Sequence, residues 1–257
     1  KNIKVDNSSF EKEMEKSKTL ARANWKGSGD KSVEERWFKI RDELKPSEFL
    51  GYEFNKAEGV VLKLSKNNKF VDSARIGDKI EIITNQTPFY GESGGQVGDQ
   101  GIIYTSDCEI NIKDTQKKMG DLFVHIGDIK KGNIKVGQSV NLEIDVEKRN
   151  NSKANHSATH LLHESLRRTL GKHVTQKGSL VSPDRLRFDF SHNKPIVEKE
   201  MSKINETVNN IVKGGSEVQT RIMTPKEAVK MGALALFGEK YGEEVRVVFM
   251  GKENNGF

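Results

Sequence analysis

Three histidines spaced along one predicted helix are the residues of this sequence whose type and spacing best suit chemistry. His156, His160 and His163 stand at positions i, i+4 and i+7 of a segment that has a helical pattern over about 153–170. At about 100° per residue these positions share one stripe, which falls opposite apolar residues and need not lie in the core. Neutral imidazole is the commonest protein ligand for zinc, and two histidines one turn apart can bind one ion. The spacing therefore predicts a metal site on this helix.

The histidine pattern differs from that of a metalloprotease helix, because Ser157 stands where a general-base glutamate would follow the first histidine. A zinc site also needs a third protein ligand, and usually a fourth when it is closed. The sequence leaves that ligand open, since each further candidate can equally be a surface or core-edge residue. These candidates are Cys108, His125, His163, His173 and His192. The alternative is that the three histidines of the stripe only form a polar helix face.

A glycine-rich segment over residues 87–101 is the second candidate site. Its five glycines within 91–101 allow sharp turns and a close approach of the backbone to a ligand. It matches neither a Walker loop nor a dinucleotide fingerprint. A barrel turn would explain Gly98 and Gly101, whereas polar side chains beside open backbone suit a small polar substrate. The predicted substrate-site residues of this segment are Thr87, Gly94, Gly95, Gln96 and Asp99.

The segment directly after the histidine helix is the third candidate. Gln176 has donors and an acceptor, so it can orient a water or a carbonyl near the metal. Basic residues surround the same stretch, and they indicate either a solvated face or contact with phosphates. These candidate phosphate-contact or surface residues are Arg167, Arg168, Lys172 and Lys177.

The predicted secondary structure around these candidate residues changes along the chain. Apolar residues at helical spacing predict two short helices within residues 1–45, and Pro46 ends the second. From residue 46 to 146 the apolar period is two, as in Val60–Leu64, Ile80–Ile82 and Leu142–Val146, which predicts a small antiparallel barrel.

From residue 147 onward helical and strand patterns mix, which predicts an α+β unit. After the histidine helix come a half-buried strand at Leu186–Phe190 and a helix that begins near Pro195. Thr224 opens a capping box with proline at the first helical position, and Val245–Phe249 has a strand pattern.

The composition limits the classes of partner. The 257 residues carry a net charge of +6, which favours an anionic partner, nucleic acid before membrane. No apolar run is long enough to span a bilayer. The single cysteine excludes an internal disulfide framework and fits a reducing cytoplasm, so we expect a cytoplasmic protein. The chain begins at Lys1 without a methionine, which indicates a piece of a longer protein.

Several motifs together resemble the editing domain of bacterial alanyl-tRNA synthetases. They are the glycine-rich run, NHSATHLLHESLRRTLGKHVTQKGS, RLRFDFSH and GALALFGEKYGEEVRVVFMG. Residues 10–29, which end in LARANWKGSG, resemble the helical segment that leads into that domain and that free-standing editing proteins lack. The resemblance covers almost the whole chain, and it implies a fragment of a synthetase.

The resemblance implies that the chain hydrolyses serine or glycine wrongly attached to the tRNA for alanine, within a ligase that attaches alanine with ATP. His156 and His160 match the first two zinc ligands of the family, whose other two come from a Cys-x-x-x-His motif that would fall just beyond Phe257. Gln176 matches a residue implicated in editing, and Thr87 matches the threonine that helps recognise the serine hydroxyl. Whether zinc holds the amine or polarises water stays open.

The expected architecture is therefore α+β in three parts. Residues 1–45 form a helical tail of the tRNA-recognition domain and a linker, 46–146 a β-barrel subdomain, and 147–257 an α+β zinc-binding editing domain truncated before the Cys-x-x-x-His ligands. The expected partners are the acceptor end of the tRNA for alanine and esters of serine or glycine, with no membrane. The alternatives are a free-standing deacylase that acts in trans and a non-catalytic tRNA-binding module with structural histidines.

Overall fold

The computed structural model of the chain describes residues 14, 16, 36–37, 40–41, 43–215, 217–233 and 242–250. The chain divides into two compact units, Lys1–Pro46 and Ser47–Phe257. In the first unit the described residues between 14 and 43 are helical, and the N–H of Leu44 donates to the carbonyl of Ile40 over 2.8 Å. Most of the two helices predicted within residues 1–45 lies outside the described residues.

The first half of the second unit is a closed antiparallel barrel, as the period-two pattern predicted. Six strands follow the order β2-β5-β9-β8-β7-β11, and β11 pairs back onto β2. The strands up to this closure are β1 (Glu48–Phe49), β2 (Lys56–Lys66), β3 (Lys69–Val71), β4 (Ser73–Arg75), β5 (Lys79–Thr84), β6 (Gln86–Thr87), β7 (Gly101–Tyr104), β8 (Glu109–Lys118), β9 (Leu122–Lys131), β10 (Asn133–Lys135) and β11 (Ser139–Ile144).

Alternate side chains fill the barrel interior, because successive residues of a strand point to opposite faces. Ile80 and Ile82 on β5 and Val140, Leu142 and Ile144 on β11 belong to one buried cluster. The sequence pattern did not single out β8. Its alternation is interrupted by a register shift between Ile112 and Asp114, and the strand is polar from that point on.

The second half of the unit mixes helices and strands, in agreement with the predicted α+β class. Its elements are α1 (Val146–Leu170), β12 (Gln176–Val181), β13 (Leu186–Phe190), α2 (Glu198–Gly214), β14 (Val218–Met223), α3 (Pro225–Lys230) and β15 (Val245–Met250). The predicted capping box is present, since Thr224 and Glu227 bond reciprocally at the start of α3.

The histidine helix α1 begins seven residues earlier than the sequence pattern indicated. The Asp145 side chain accepts from the N–H of Lys148 over 3.0 Å and so caps the helix directly after β11. Helix α1 packs against α2 and the β12–β13 hairpin, and Leu166, Val174 and Ile204 form the core of this contact. None of the helices in the described part of the chain combines the length and apolar character that a bilayer crossing needs.

Candidate functional site

The glycine-rich segment forms a two-residue hairpin turn. Ser93 and Gln96 exchange backbone hydrogen bonds of 3.2 and 3.0 Å, with Gly94 and Gly95 between them. Both glycines have positive φ, 59° and 84°, as a type I′ turn requires. The turn therefore depends on glycine at both central positions, and its central N–H groups take no part in its two hydrogen bonds.

This turn is attached to strand β12 of the α+β half. Val97 N–H donates to the carbonyl of Val181 over 3.0 Å, and Val181 N–H donates to the carbonyl of Gly95 over 2.7 Å. A Cβ on Gly95 would collide with Ser179 Oγ and lie 2.8 Å from the Ser179 carbonyl oxygen. The absent side chain is what allows the barrel loop to lie directly against β12.

The same turn contacts the first histidine of α1. Gln96 is 6 % exposed, and its Oε1 lies 2.7 Å from His156 Nδ1. The rings of His156 and His160 stack with centroids 5.0 Å apart and an angle of 17° between their planes. The structure thus brings together Gly95, Gln96 and the two predicted zinc ligands.

Gln176 begins strand β12, to which the turn is attached, and it has a side-chain partner that the sequence pattern did not indicate. Its Nε2 donates to Ser179 Oγ over 3.3 Å. Residues three apart in a regular strand point to opposite faces, but a register shift between Gln176 and Gly178 places these two on the same face. A glycine inside a strand, here Gly178, often marks such a bulge. Reading Gly178 in this way would have placed Ser179 on the same face as Gln176.

A cavity of about 530 Å³ opens on the other side of the histidine stripe. It lies between α1, α3 and β15, and both His160 and His163 line it. Its volume is within the range of small-molecule sites. His160 therefore lies between His156 and a space large enough for an amino-acid ester.

Thr87, by contrast, lies in the barrel interior. It is 0 % exposed, its Oγ1 is 2.8 Å from His125 Nε2, and it accepts the N–H of Phe89 over 3.0 Å. His125 Nδ1 lies 3.0 Å from the carbonyl of Ile82. Burial lowers the pKa of His125 to about 4, so the neutral ring donates to Ile82 and accepts from Thr87. Recognition of a substrate hydroxyl by Thr87 stays a prediction, and it requires this threonine to leave His125.

Asp99 is also buried, at the end of the glycine-rich segment. Its carboxylate accepts from Arg149 Nε over 2.9 and 2.8 Å and also contacts Arg149 Nη2. The guanidinium also donates to the carbonyls of Gly51 and Pro88, and Asp99 accepts the N–H of Tyr90. Asp99 and Arg149 therefore join α1 to the barrel. The sequence carried no sign of this pair, whose members are 50 residues apart.

The other candidate ligands do not combine with the His156–His160 pair into a group of three within the described residues. His163 is only 6 % exposed and its ring is 5.0 Å from that of Phe188, so this member of the stripe is buried at the wall of the cavity. His173 and His192 contact each other over 2.9 Å. Cys108 belongs to the barrel core. Across the described ranges, His, Cys, Asp and Glu residues form no group of three that could hold a metal.

His156 and His160 fit half of a zinc site. Partial desolvation lowers the pKa of both side chains below the usual value for histidine, which favours the neutral form that a metal ligand needs. The hydrogen bond from His156 to Gln96 is the kind of outer contact that orients a metal-binding histidine.

The four basic residues near this site differ in what they contact. Arg167 donates to the carbonyls of Lys172 and Val174 over 3.1 and 3.0 Å, so it closes the end of α1. Arg168 donates to Glu164 over 3.0 Å. Lys172 and Lys177 are exposed. The two lysines are therefore the better placed of the four for contact with an anionic partner.

Comparison with known proteins agrees with the motifs of the site. A family model described as tRNA synthetases class II (A) matches residues 1–148. The chain is 52 % identical over 254 residues to an alanine–tRNA ligase of Chelativorans sp. (strain BNC1), covering 99 % of the chain and 29 % of that protein. It is 53 % identical over 253 residues to that of Parvibaculum lavamentivorans, covering 98 % of the chain and 28 % of the relative. The resemblance to bacterial alanyl-tRNA synthetases is thereby confirmed, and the chain belongs to the family of class II tRNA synthetases (A).

Proposed function

We propose that this chain is the editing part of an alanine–tRNA ligase and hydrolyses the ester that joins serine or glycine to the tRNA for alanine. One observation carries the proposal. The turn at Gly94–Gln96, the pair His156 and His160, and the pair Gln176 and Ser179 come from three distant segments and form one connected set of contacts. The alanine–tRNA ligases that the chain resembles support a tRNA as the partner.

The chain's own groups suit the reaction. In ester hydrolysis a water oxygen bonds to the carbonyl carbon, the ester C–O bond breaks, and the ribose oxygen leaves with a proton. Negative charge develops on the carbonyl oxygen, and backbone N–H groups stabilise such a charge well. The N–H groups of Gly94 and Gly95 suit that role, because the turn does not use them. The Gln176 amide, held by Ser179, orients the water or the substrate.

A zinc ion would be held by His156 and His160 together with the two ligands expected beyond Phe257. When bound, zinc supplies a Lewis acid that holds the substrate amine or polarises water. Asp99 contributes from within the barrel, where its ion pair with Arg149 anchors the end of the glycine-rich segment. Thr87 would add selectivity for serine if its hydroxyl were released from His125.

We further propose that the protein to which this chain belongs attaches alanine to its tRNA with ATP, and that editing corrects that reaction. Packing alone rejects a substrate with one additional group by only about 10–200-fold, so a second hydrolytic site is useful where synthesis confuses small amino acids. Lys172 and Lys177 are proposed contacts to the tRNA acceptor end, and Arg168 is a further proposed contact.

The test is hydrolysis of seryl-, glycyl- and alanyl-tRNA for alanine, with and without a chelator. The assay uses this chain and a version extended through the next Cys-x-x-x-His motif. Selective, chelator-sensitive loss of serine or glycine in the extended form is expected. Gln176→Ala should abolish that activity, whereas Gln219→Ala, the same change at an exposed site on β14, should not.

The second candidate function is tRNA binding without catalysis. It is favoured by the contacts of the histidine pair, since His156 bonds to Gln96 and stacks on His160 as structural side chains do. It predicts tRNA binding by both forms with hydrolysis by neither, and that outcome would overturn the editing proposal.

A further inference from the structure

We propose that Gln96 is a positioning residue that fixes the proton of His156 on Nδ1 and leaves Nε2 as the nitrogen free to bind a ligand. The tautomer of His156 is inferred independently of the proposed function, and only the identity of the ligand at Nε2 rests on that function. Gln96 then acts through the histidine rather than on the substrate, which differs from the contact role that the sequence pattern predicts for it.

The hydrogen bond itself sets the tautomer. The atom of Gln96 that lies 2.7 Å from His156 Nδ1 is Oε1, the side-chain carbonyl oxygen. A carbonyl oxygen only accepts, so Nδ1 must carry the hydrogen. A neutral imidazole has one hydrogen for its two nitrogens, and Nε2 therefore keeps a lone pair. Metal-binding histidines generally donate their other N–H in this way.

The Gln96 side chain is held on a rigid frame. Its own backbone exchanges two hydrogen bonds with Ser93, and the adjacent Gly95 and Val97 each bond to Val181 on β12. The residue is 6 % exposed, so water competes weakly for its amide. Because the backbone on both sides is fixed, the direction of the amide is set before any ligand arrives.

Gln96 also links the barrel to α1 at the histidine pair. Gln96 belongs to the glycine-rich segment, whose later residue Asp99 forms an ion pair with Arg149. Arg149 lies on α1, two helical turns before His156. His160 stacks on His156, so holding one ring also restricts the other. A barrel loop thus determines how two helix side chains present their nitrogens.

The test is the tautomer of each histidine, read from the ¹⁵N chemical shifts of the ring nitrogens at about pH 8, where the imidazoles are neutral. The chain as it stands is used without metal, and His156→Asn assigns the signals. We expect His156 to be the Nδ1–H form in the parent chain. Gln96→Leu should increase the population of the Nε2–H tautomer of His156. Gln96→Glu keeps a hydrogen-bond acceptor and should retain the Nδ1–H tautomer.

His125 provides the control within each sample. Its Nδ1 lies against the carbonyl of Ile82, so its signals should show the Nδ1–H form in the parent and in both variants if the barrel is folded. An unchanged His156 tautomer in Gln96→Leu with intact His125 signals would overturn the proposal. So would an Nε2–H form of His156 in the parent chain. The ¹⁵N chemical shifts do not depend on hydrolysis. A negative result in the editing assay would therefore not affect the test of the tautomer.

Discussion

His125 shows at the scale of one residue how burial makes the barrel sensitive to acid. Its folded-state pKa of about 4 is below the value of about 6.5 expected in the unfolded chain. As the pH falls through this interval the unfolded state takes up a proton and the folded state does not. The stability that the neutral ring provides is therefore complete above about pH 6.5 and is lost by about pH 4.

We expect the free energy of unfolding, measured with urea, to fall between pH 7.5 and 4.5, with His125 contributing at most about 3 kcal/mol. His156, His160 and His163, whose pKa values desolvation also lowers, act in the same direction. The contribution of His125 is isolated by the variant His125→Gln, which should have the shallower pH dependence. Parallel curves for parent and variant would show that His125 does not carry the effect.

Substitutions of Thr87 test whether this residue stabilises the barrel or recognises the substrate. Thr87→Val keeps the shape but leaves the buried His125 Nε2 and the Phe89 N–H without their partner. We expect it to lower the free energy of unfolding by about 1–3 kcal/mol, and Thr87→Ser to retain most of the stability. Unchanged stability with a loss of serine-over-alanine selectivity would instead support direct recognition of the substrate hydroxyl.

At the scale of elements, the Arg149–Asp99 pair is what fixes helix α1 on the barrel. Both side chains are buried, and Arg149→Ala leaves an unpaired carboxylate and two carbonyls that lose their donor. We expect a loss of about 3–5 kcal/mol in the free energy of unfolding. Lys148→Ala removes an exposed pair with Asp145 and an exposed hydrogen bond to Gln100 Oε1, and it should lose less than about 1 kcal/mol. Equal effects of the two variants would contradict this role.

The two glycines of the turn should respond differently to a side chain, although both have positive φ. Gly95→Ala places a methyl against Ser179 and should detach the turn from β12, whereas the space around Gly94 is open. Hydrogen exchange at the Val97 and Val181 amides should therefore accelerate in Gly95→Ala. Gly94→Asn should leave it near the parental rate, because asparagine tolerates the left-handed conformation. Equal protection in both variants would contradict the docking of the turn.

For the whole molecule, the net charge of +6 predicts that the proposed binding to tRNA depends on salt concentration. Lys172→Glu with Lys177→Glu should lower the slope of log Kd against log salt concentration by about 1.5. Lys69→Glu with Lys135→Glu makes the same charge change at exposed barrel positions and should alter the slope less. Filter-binding titrations over a salt series measure both. Matching slopes would show that only the overall charge matters.

Local features of the fold and the site could be predicted from the sequence. The spacing of His156 and His160 placed them on one helix face, since helical periodicity depends only on near neighbours. The alternation at β5 and β11 predicted barrel strands, and Thr224 predicted the start of α3. The start of α1 was misplaced because its cap, Asp145, precedes the periodic apolar residues.

The candidate functional residues, the helix and strand periods that carry them and the family could all be identified from the sequence alone. The tertiary structure alone decided which of these residues meet. It paired Gln96 with His156, Gly95 with β12 and Asp99 with Arg149, and it placed Thr87 and His163 in buried surroundings. These contacts join residues that are many positions apart. They follow from closure of the barrel and packing of α1 on it, whereas periodicity and turn preference act only over a few residues.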